Sequence, residues 1–333
     1  MVGDNMGANV KKPYFLITID TEGDNLWEKP CSITTKNAEY LFRFQELCEE
    51  YGLKPTYLTN YEMASSKVFI EFARDVIKRN TGEIGMHLHP WNSPPLIPLT
   101  KDDFRLQPYL IEYNEEVIKQ KVEYMTKLLE DTFQICIASH RAGRWGFNEY
   151  YAKVLEELGY KVDCSVTPLI NWNSQKGVPL GKGGTDYSSF PDKAYFLDLS
   201  DISREGKSRI LEVPMTTIST DSMLSKGINN KLKNKKMLRK FTNRLFSSFF
   251  MLRPNGRNLH RLLWIIDKTI ENEKDYAEFM IHSSELMPGG SPTFKSKNHI
   301  ERLYRDLRML FDIVHKSFNG ATMLEYYNYF NAK

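Results

Sequence analysis

Tyr14-Phe15-Leu16-Ile17-Thr18-Ile19-Asp20-Thr21-Glu22 is apolar and β-branched up to Ile19, then polar. It reads as a buried strand that ends in two carboxylates. Side chains alternate along a strand, so Asp20 and Glu22 share a face. A second run, Glu83-Ile84-Gly85-Met86-His87-Leu88-His89-Pro90-Trp91, repeats this design with imidazoles in place of acids. His87 and His89 project together from the strand's end, and Pro90 stops the run. Two neutral imidazoles converging on one point make half a metal site, and a carboxylate from elsewhere completes it. One of Asp20 and Glu22 fills that place and the other is left as a general base. A cation with three protein ligands and open positions is the arrangement that activates a water.

Outward from these two runs, strand and helix signals alternate. Tyr40, Leu41, Phe44, Leu47 and Cys48 give a helical period closed by Gly52, and residues 55–59 read as the next strand. Residues 68–78 read as a helix capped by Ser65 or Ser66, and Asn80-Thr81-Gly82 turns the chain into the His87 strand. Residues 90–113 are rich in proline and lack a period, the mark of a functional loop. Helices follow at 117–129 and 150–158, with strands at 135–138 and 160–166. Residues 169–191 form a second irregular stretch. Strands at 209–213, 277–281 and 321–324 and a helix at 299–314 complete the pattern. This order predicts a parallel sheet, and the number of units predicts a barrel closed or nearly so. A doubly wound open sheet is the alternative, but no glycine-rich phosphate fingerprint follows the first strand.

The 333 residues are 41% hydrophobic and 26% charged, enough for one large core and typical of a soluble protein. A net charge of +3 is too small to point to nucleic acid. Cys31, Cys48, Cys136 and Cys164 show no metal or disulfide spacing, which fits reduced thiols in the cytoplasm. No secretory leader and no membrane-spanning run is evident. Residues 1–12 read as a disordered N-terminus and 13–333 as one barrel with an insertion at about 219–260. Within the insertion, the basic segment 226–257 carries Leu238, Phe241, Leu245, Phe249 and Leu252 at helical spacing. It reads as a basic amphipathic helix packed on the barrel, with peripheral contact to an anionic membrane as the sharper alternative.

Further reactive residue types end the later strands. Ser139-His140-Arg141-Ala142-Gly143-Arg144-Trp145-Gly146 offers two arginines that hold a carboxylate or line a cleft, Arg144's side chain being the better candidate for a plain surface role. Asp163 belongs to the fifth strand. His282 ends Phe279-Met280-Ile281-His282 on the same rim and is a candidate general acid.

In order, Thr18-Ile19-Asp20-Thr21-Glu22, Glu83 to His89, His140 to Arg144, Tyr160-Lys161-Val162-Asp163, Leu211-Glu212-Val213-Pro214 and Met280-Ile281-His282 resemble the motifs of the polysaccharide deacetylase family, carbohydrate esterase family 4. The resemblance runs from about Pro13 to Glu325, apart from the basic insertion. It implies a distorted (β/α)7 TIM-like barrel and a divalent metal, zinc first, with cobalt, nickel or manganese as alternatives. It also implies hydrolysis of an N-acetyl or O-acetyl group on a sugar. By position, Asp20 resembles the base, and Glu22, His87 and His89 the metal ligands. Arg141 resembles the residue that orients the base, and His282 the acid, with Asp163 as its partner. The backbone N–H near Arg144 corresponds to an oxyanion donor. The common first motif has adjacent aspartates, where this chain has Asp20-Thr21-Glu22. The common second motif spaces its histidines four apart, which would place the second at Trp91, so His89 takes that role. Trp91, Arg144, Trp145 and Trp172 are expected around the substrate, the tryptophans stacking on sugar rings.

The expectation is therefore a cytoplasmic deacetylase of an N-acetylated sugar in a bacterial cell-surface glycan or its nucleotide- or lipid-linked precursor. A catalytically silent glycan-binding module in a biosynthetic complex is the rival. A metal-dependent amidohydrolase of another barrel family ranks lower, because there the His-x-His normally ends the first strand and here it ends the third.

Overall fold

The structure, a computed structural model, describes residues 12–219 and 249–333. Its main sheet has nine strands. The parallel strands are β1 (Tyr14–Thr21), β2 (Pro55–Thr59), β3 (Glu83–Leu88), β4 (Ser139–Ala142), β5 (Val162–Asp163), β7 (Leu211–Glu212) and β10 (Tyr276–His282). They run side by side in the order β10-β1-β2-β3-β4-β5-β7. The short β6 (Tyr195–Phe196) adds antiparallel to β7, and β11 (Asn319–Ala321) pairs with the start of β1. β8 (Thr217–Ser219) and β9 (Phe249–Met251) form a separate antiparallel pair. This is the curled, barrel-like (β/α)7 sheet that the resemblance implies.

The curl is completed by irregular chain rather than by a ladder. Between β7 and β10, Tyr276 donates through its hydroxyl to the Pro214 carbonyl (2.7 Å), Glu278 N–H to Thr216 Oγ1 (2.8 Å) and Met280 N–H to the Leu252 carbonyl (3.2 Å). Helices cover the outside: α1 (Leu41–Glu50), α2 (Tyr61–Ala64), α3 (Lys67–Arg79), α4 (Asp103–Leu106), α5 (Glu115–Phe133), α6 (Glu149–Glu157), α7 (Leu259–Glu271), α8 (Lys297–Ser317) and α9 (Met323–Asn331). The outer apolar faces of the strands and the inner faces of these helices form the main core. A second cluster, including Leu16, Leu58, Val162, Leu211 and Tyr276, lies with Tyr326 of α9, which plugs the barrel. Above that plug the strand residues turn polar, and the site begins there.

Several expectations shift. Strand β4 is Ser139–Ala142 and not 135–138, because its buried side chains are held by ion pairs and hydrogen bonds that a hydrophobicity pattern does not register. The expected strand at 321–324 is cut at Ala321. Thr322 caps α9 there and exchanges hydrogen bonds with Glu325, a Thr-x-x-Glu capping box. Helix α7 fills a stretch given no assignment from sequence. Phe249 belongs to β9 and Leu252 follows it, so the basic helix does not extend through them. Residues 226–248 of that segment, and residues 1–11, lie outside the described residues. All four cysteines are free thiols. Among the described residues no helix is long and apolar enough to cross a membrane.

Candidate metal centre

Register decides which polar side chains meet. Asp20 stands opposite His282 across β1 and β10, and His87 opposite Arg141 across β3 and β4. Residues paired this way point to the same side of a sheet, here the barrel interior at the strands' C-terminal ends. Glu22 lies two residues beyond Asp20 and joins the same face. Its Oε2 is 3.0 Å from His89 Nε2 and 3.6 Å from His87 Nε2, and its Oε1 is 3.7 Å from His282 Nε2. Asp20 Oδ2 is 3.9 Å from both His87 Nε2 and His282 Nε2. The expected pairings of Asp20 with Glu22 and of His87 with His89 are thus met in space.

Each group is aimed by a neighbour. His87 donates from Nδ1 to the Arg141 carbonyl (2.9 Å), which leaves Nε2 facing the acids. Arg141 is fully buried and donates to Asp20 Oδ1 (2.7 Å) and Glu278 Oε1 (2.6 Å). His89 stacks on Trp91 (centroids 4.2 Å apart), and a Cβ on Gly143 would lie 2.5 Å from its Nδ1, so only glycine leaves room for the ring. Behind the histidines, the buried Lys121 ammonium donates to the carbonyls of Pro90, Ser93 and Pro95 at 2.7–2.8 Å and fixes the loop after β3. Glu62 accepts from Gly23 N–H (2.7 Å) and Asn92 Nδ2 (2.6 Å), which ties that loop to the end of β1. Burial pushes the Glu62 carboxyl up to about 7.

The electrostatics favour charged acids and a neutral His89, while at His87 burial is outweighed by the charges of Asp20 and Glu22, which raise its proton affinity. Burial raises the Asp20 carboxyl, but Arg141, His87 and His282 outweigh it, so the net shift is downward. Burial also opposes ionisation of Glu22, yet hydrogen bonds from His87 and His89 hold it well below the usual range. Burial drives His89 down to about 4 against the pull of Glu22, so its ring is neutral near pH 7. Glu22, His87 and His89 bring their ligating atoms within 4.8 Å of one another. Two imidazoles and a carboxylate suit zinc or a neighbouring divalent ion, and His89 Nδ1 is buried with no partner, so Nε2 is the only nitrogen the ring uses. These three residues fit a divalent cation.

Two expectations are corrected here. Asp163 does not orient His282. It stands opposite His140 in register, on the helix-facing side of the sheet, and pairs with His140 Nδ1 at 2.6 Å. The partner of His282 is Glu285, whose Oε2 accepts from the His282 backbone N–H (3.0 Å) and lies 3.1 Å from Nδ1. Arg253 adds Nη2 contacts to the same Nδ1 (2.8 Å) and to Glu285 Oε1 (3.1 Å). Sequence reading placed Arg253 in the basic helix and gave Glu285 no role. A carboxylate three residues after a strand-end histidine, at capping-box spacing, was the available signal.

A cavity of about 430 Å³ opens over these groups. Trp91, Arg144, Trp145 and Trp172 line it as expected, and Trp27, Lys29, Gln107 and Gln175 join them. Trp91 is only 5% exposed and one face of its ring is taken by His89. Trp145 lies over the Arg141 guanidinium, Trp172 donates to Thr167 Oγ1 (2.8 Å), and Trp27 packs edge-on to His282 while donating to Ser284 Oγ (3.1 Å). Arg144 does not have a plain surface role, since it is partly buried in this wall.

No family model matches the chain. A curated protein from Methanocaldococcus jannaschii, named as a helicase, is 29% identical over 129 residues, and this chain spans about a quarter (25%) of its length. That match covers 38% of the chain. Among solved structures, a protein named as a polysaccharide deacetylase from Mycobacterium smegmatis superposes with a TM-score of 0.54 at 14% identity, over 98% of this chain and 93% of its own. A protein from Parabacteroides distasonis, named as a glycoside hydrolase/deacetylase, gives 0.63 at 10% identity, over 97% and 72%. The chain has the fold of the polysaccharide deacetylases.

Proposed function

We propose that this chain is a metal-dependent hydrolase that removes an acetyl group from an N-acetylated sugar, with Glu22, His87 and His89 as ligands, Asp20 as base and His282 as acid. The convergence of these five side chains on one pocket carries the reading: three ligating atoms lie within 4.8 Å of one another, with Asp20 3.9 Å from His87 and His282 3.7 Å from Glu22. A divalent cation held there, zinc or cobalt, nickel or manganese in its place, would polarise both the attacking water and the acyl carbonyl.

The chain's own residues do the rest. Asp20 receives the water's proton at Oδ2, since Arg141 occupies Oδ1. Arg141 keeps the Asp20 carboxylate ionised and in one orientation. His282 passes a proton from Nε2 to the leaving amine, with Glu285 and Arg253 fixing the other ring nitrogen. The backbone N–H of Arg144 is assigned to the oxyanion of the tetrahedral intermediate. Trp27, Trp145 and Trp172 offer ring faces or edges to the apolar side of a sugar. The free thiols accord with a cytoplasmic setting, where the substrate would be a precursor of a cell-surface glycan.

Acetate release tests this reading. Zinc- or cobalt-loaded protein should liberate acetate from N-acetylated mono- or oligosaccharides, and chelation followed by re-addition of the metal should abolish and restore it. Binding of such sugars without acetate release by any metal-loaded form would instead favour the silent binding module.

A further inference from the structure

We infer that the substrate carries an anionic group, a phosphate or a carboxylate, which Lys29 and Arg144 bind at the rim of the pocket. This rests on the deacetylase reading of the floor and names the substrate class it serves.

The charges lining the pocket do not balance. Its acids, Asp20 and Glu22, are each engaged, Asp20 by Arg141 (2.7 Å) and Glu22 by His89 (3.0 Å). Of its three cations, Arg253 is neutralised by Glu285 (3.1 Å). Lys29 and Arg144 have no carboxylate within ion-pair distance among the described residues. Lys29 Nζ donates to the Arg105 carbonyl (3.0 Å), and Arg144 donates to the carbonyls of Gln107 and, at 3.3 Å, Lys176. An ammonium has three N–H donors and a guanidinium five, so both keep donors for a ligand.

Arg144 is also held in place. Its guanidinium lies 4.1 Å from the Tyr109 ring centroid. Arg144 and Trp145 take consecutive left-handed conformations, with φ of 55° and 63°. Side chains disfavour that region, and it persists where the surroundings impose it, typically beside a ligand. Burial lowers the proton affinity of Arg144, and Tyr109 and the more distant Glu112 offset this only in part. Lys29 comes from the loop after β1 and Arg144 from the turn after β4, and both grip the 105–107 turn, so they converge from two sides. Cations at the mouth of a cleft raise the local concentration of an anionic substrate and, when a planar guanidinium is included, orient it. Had the two side chains served only to cap loop carbonyls, neutral glutamines would do as well.

That difference is the test. Binding to the zinc-loaded full chain is measured by calorimetry for N-acetylglucosamine, N-acetylglucosamine 1-phosphate and N-acetylglucosaminuronate, with acetate release followed in parallel. At least one anionic sugar should bind about tenfold or more tighter than the neutral one, the size expected for a charge-assisted hydrogen bond. Which one wins separates phosphate from carboxylate. The advantage should shrink in about 0.5 M salt, fall in Lys29→Gln and in Arg144→Gln, and approach unity in the double variant. Lys29 is exposed, so its substitution carries little folding risk. Equal binding of neutral and anionic sugars, a preference that survives both substitutions, or no binding of either anionic sugar would overturn the inference. Acetate release without an anionic preference fails this inference alone. An anionic preference without acetate release fails the deacetylase reading alone.

Discussion

Two clusters of buried imidazole and carboxylate lie on neighbouring strands of this barrel and behave in opposite ways. On the helix-facing side, His140 Nδ1 meets Asp163 Oδ1 at 2.6 Å and its Nε2 meets the Tyr151 hydroxyl at 2.7 Å. Asp163 also accepts from Ser165 N–H and Oγ, and Glu212 accepts from Val166 N–H. Every member is fully buried, and both nitrogens of the His140 ring are used. On the inner side, the Nε2 atoms of His87, His89 and His282 lie 3.0–3.9 Å from Asp20 and Glu22 and border a cavity. The same residue types thus make a closed internal network on one face and a site with unused coordinating capacity on the other. Alternation along a strand separates them: Arg141 points inward to Asp20 while His140, one residue earlier, points outward to Tyr151.

The comparison breaks most readily at His87. His87→Ala should lose the bound metal, measured by elemental analysis, and acetate release should fall to background. Asp20→Asn should retain the metal while kcat drops by about 10²–10⁴-fold, the usual range for removing a general base. Metal loss in that variant would mean that Asp20 is a ligand and that base and ligand have been exchanged. In the closed cluster the expected effect changes kind. His140→Ala leaves the buried Asp163 without its imidazole partner, though still held by the Ser165 hydrogen bonds, and should cost about 3–5 kcal/mol in denaturant unfolding, with metal content unchanged. Loss of metal at unchanged stability there would erase the distinction between the two clusters.

The smallest expected effect concerns Glu285, where Glu285→Gln should lower kcat by about tenfold through a less well-held His282. It also has a pH signature. Burial raises the Glu285 carboxyl, but Arg253 and His282 outweigh it and hold the group at about 2, below its ordinary 4.5. Its contribution to stability is therefore present above pH 4.5 and is lost as pH falls toward 2. The stability gap between wild type and Glu285→Gln, up to about 3 kcal/mol, should close across that window. A gap independent of pH would show that the carboxylate's charge is not what matters.

The inner cluster was legible in the sequence because β1 and β3 are long apolar strands whose polar ends keep a period of two. Asp20, Glu22, His87 and His89 could be paired from that period alone. The pairing of Asp163 with His282 came from the resemblance, and β5, only Val162–Asp163, is too short for a pattern to show that Asp163 faces the helices instead. β4 was placed four residues early, since its Ser139-His140-Arg141-Ala142 core is polar and satisfied by partners distant in sequence. Arg253 was hidden inside a basic run and meets His282 only through the irregular chain that completes the barrel between β7 and β10. Lys29 and Arg144 carry no sequence mark of being unpaired, because that depends on which acids fold nearby.

The central claim is that the inner cluster holds a catalytic divalent ion through Glu22, His87 and His89. Anomalous diffraction at the zinc edge, from crystals of the zinc-loaded protein, tests it most directly. The expected result is a single strong peak bonded to Glu22, His87 Nε2 and His89 Nε2, with Asp20 outside the ligand set. No peak at this position, or a peak coordinated by Asp20 with Glu22 turned away, would contradict it.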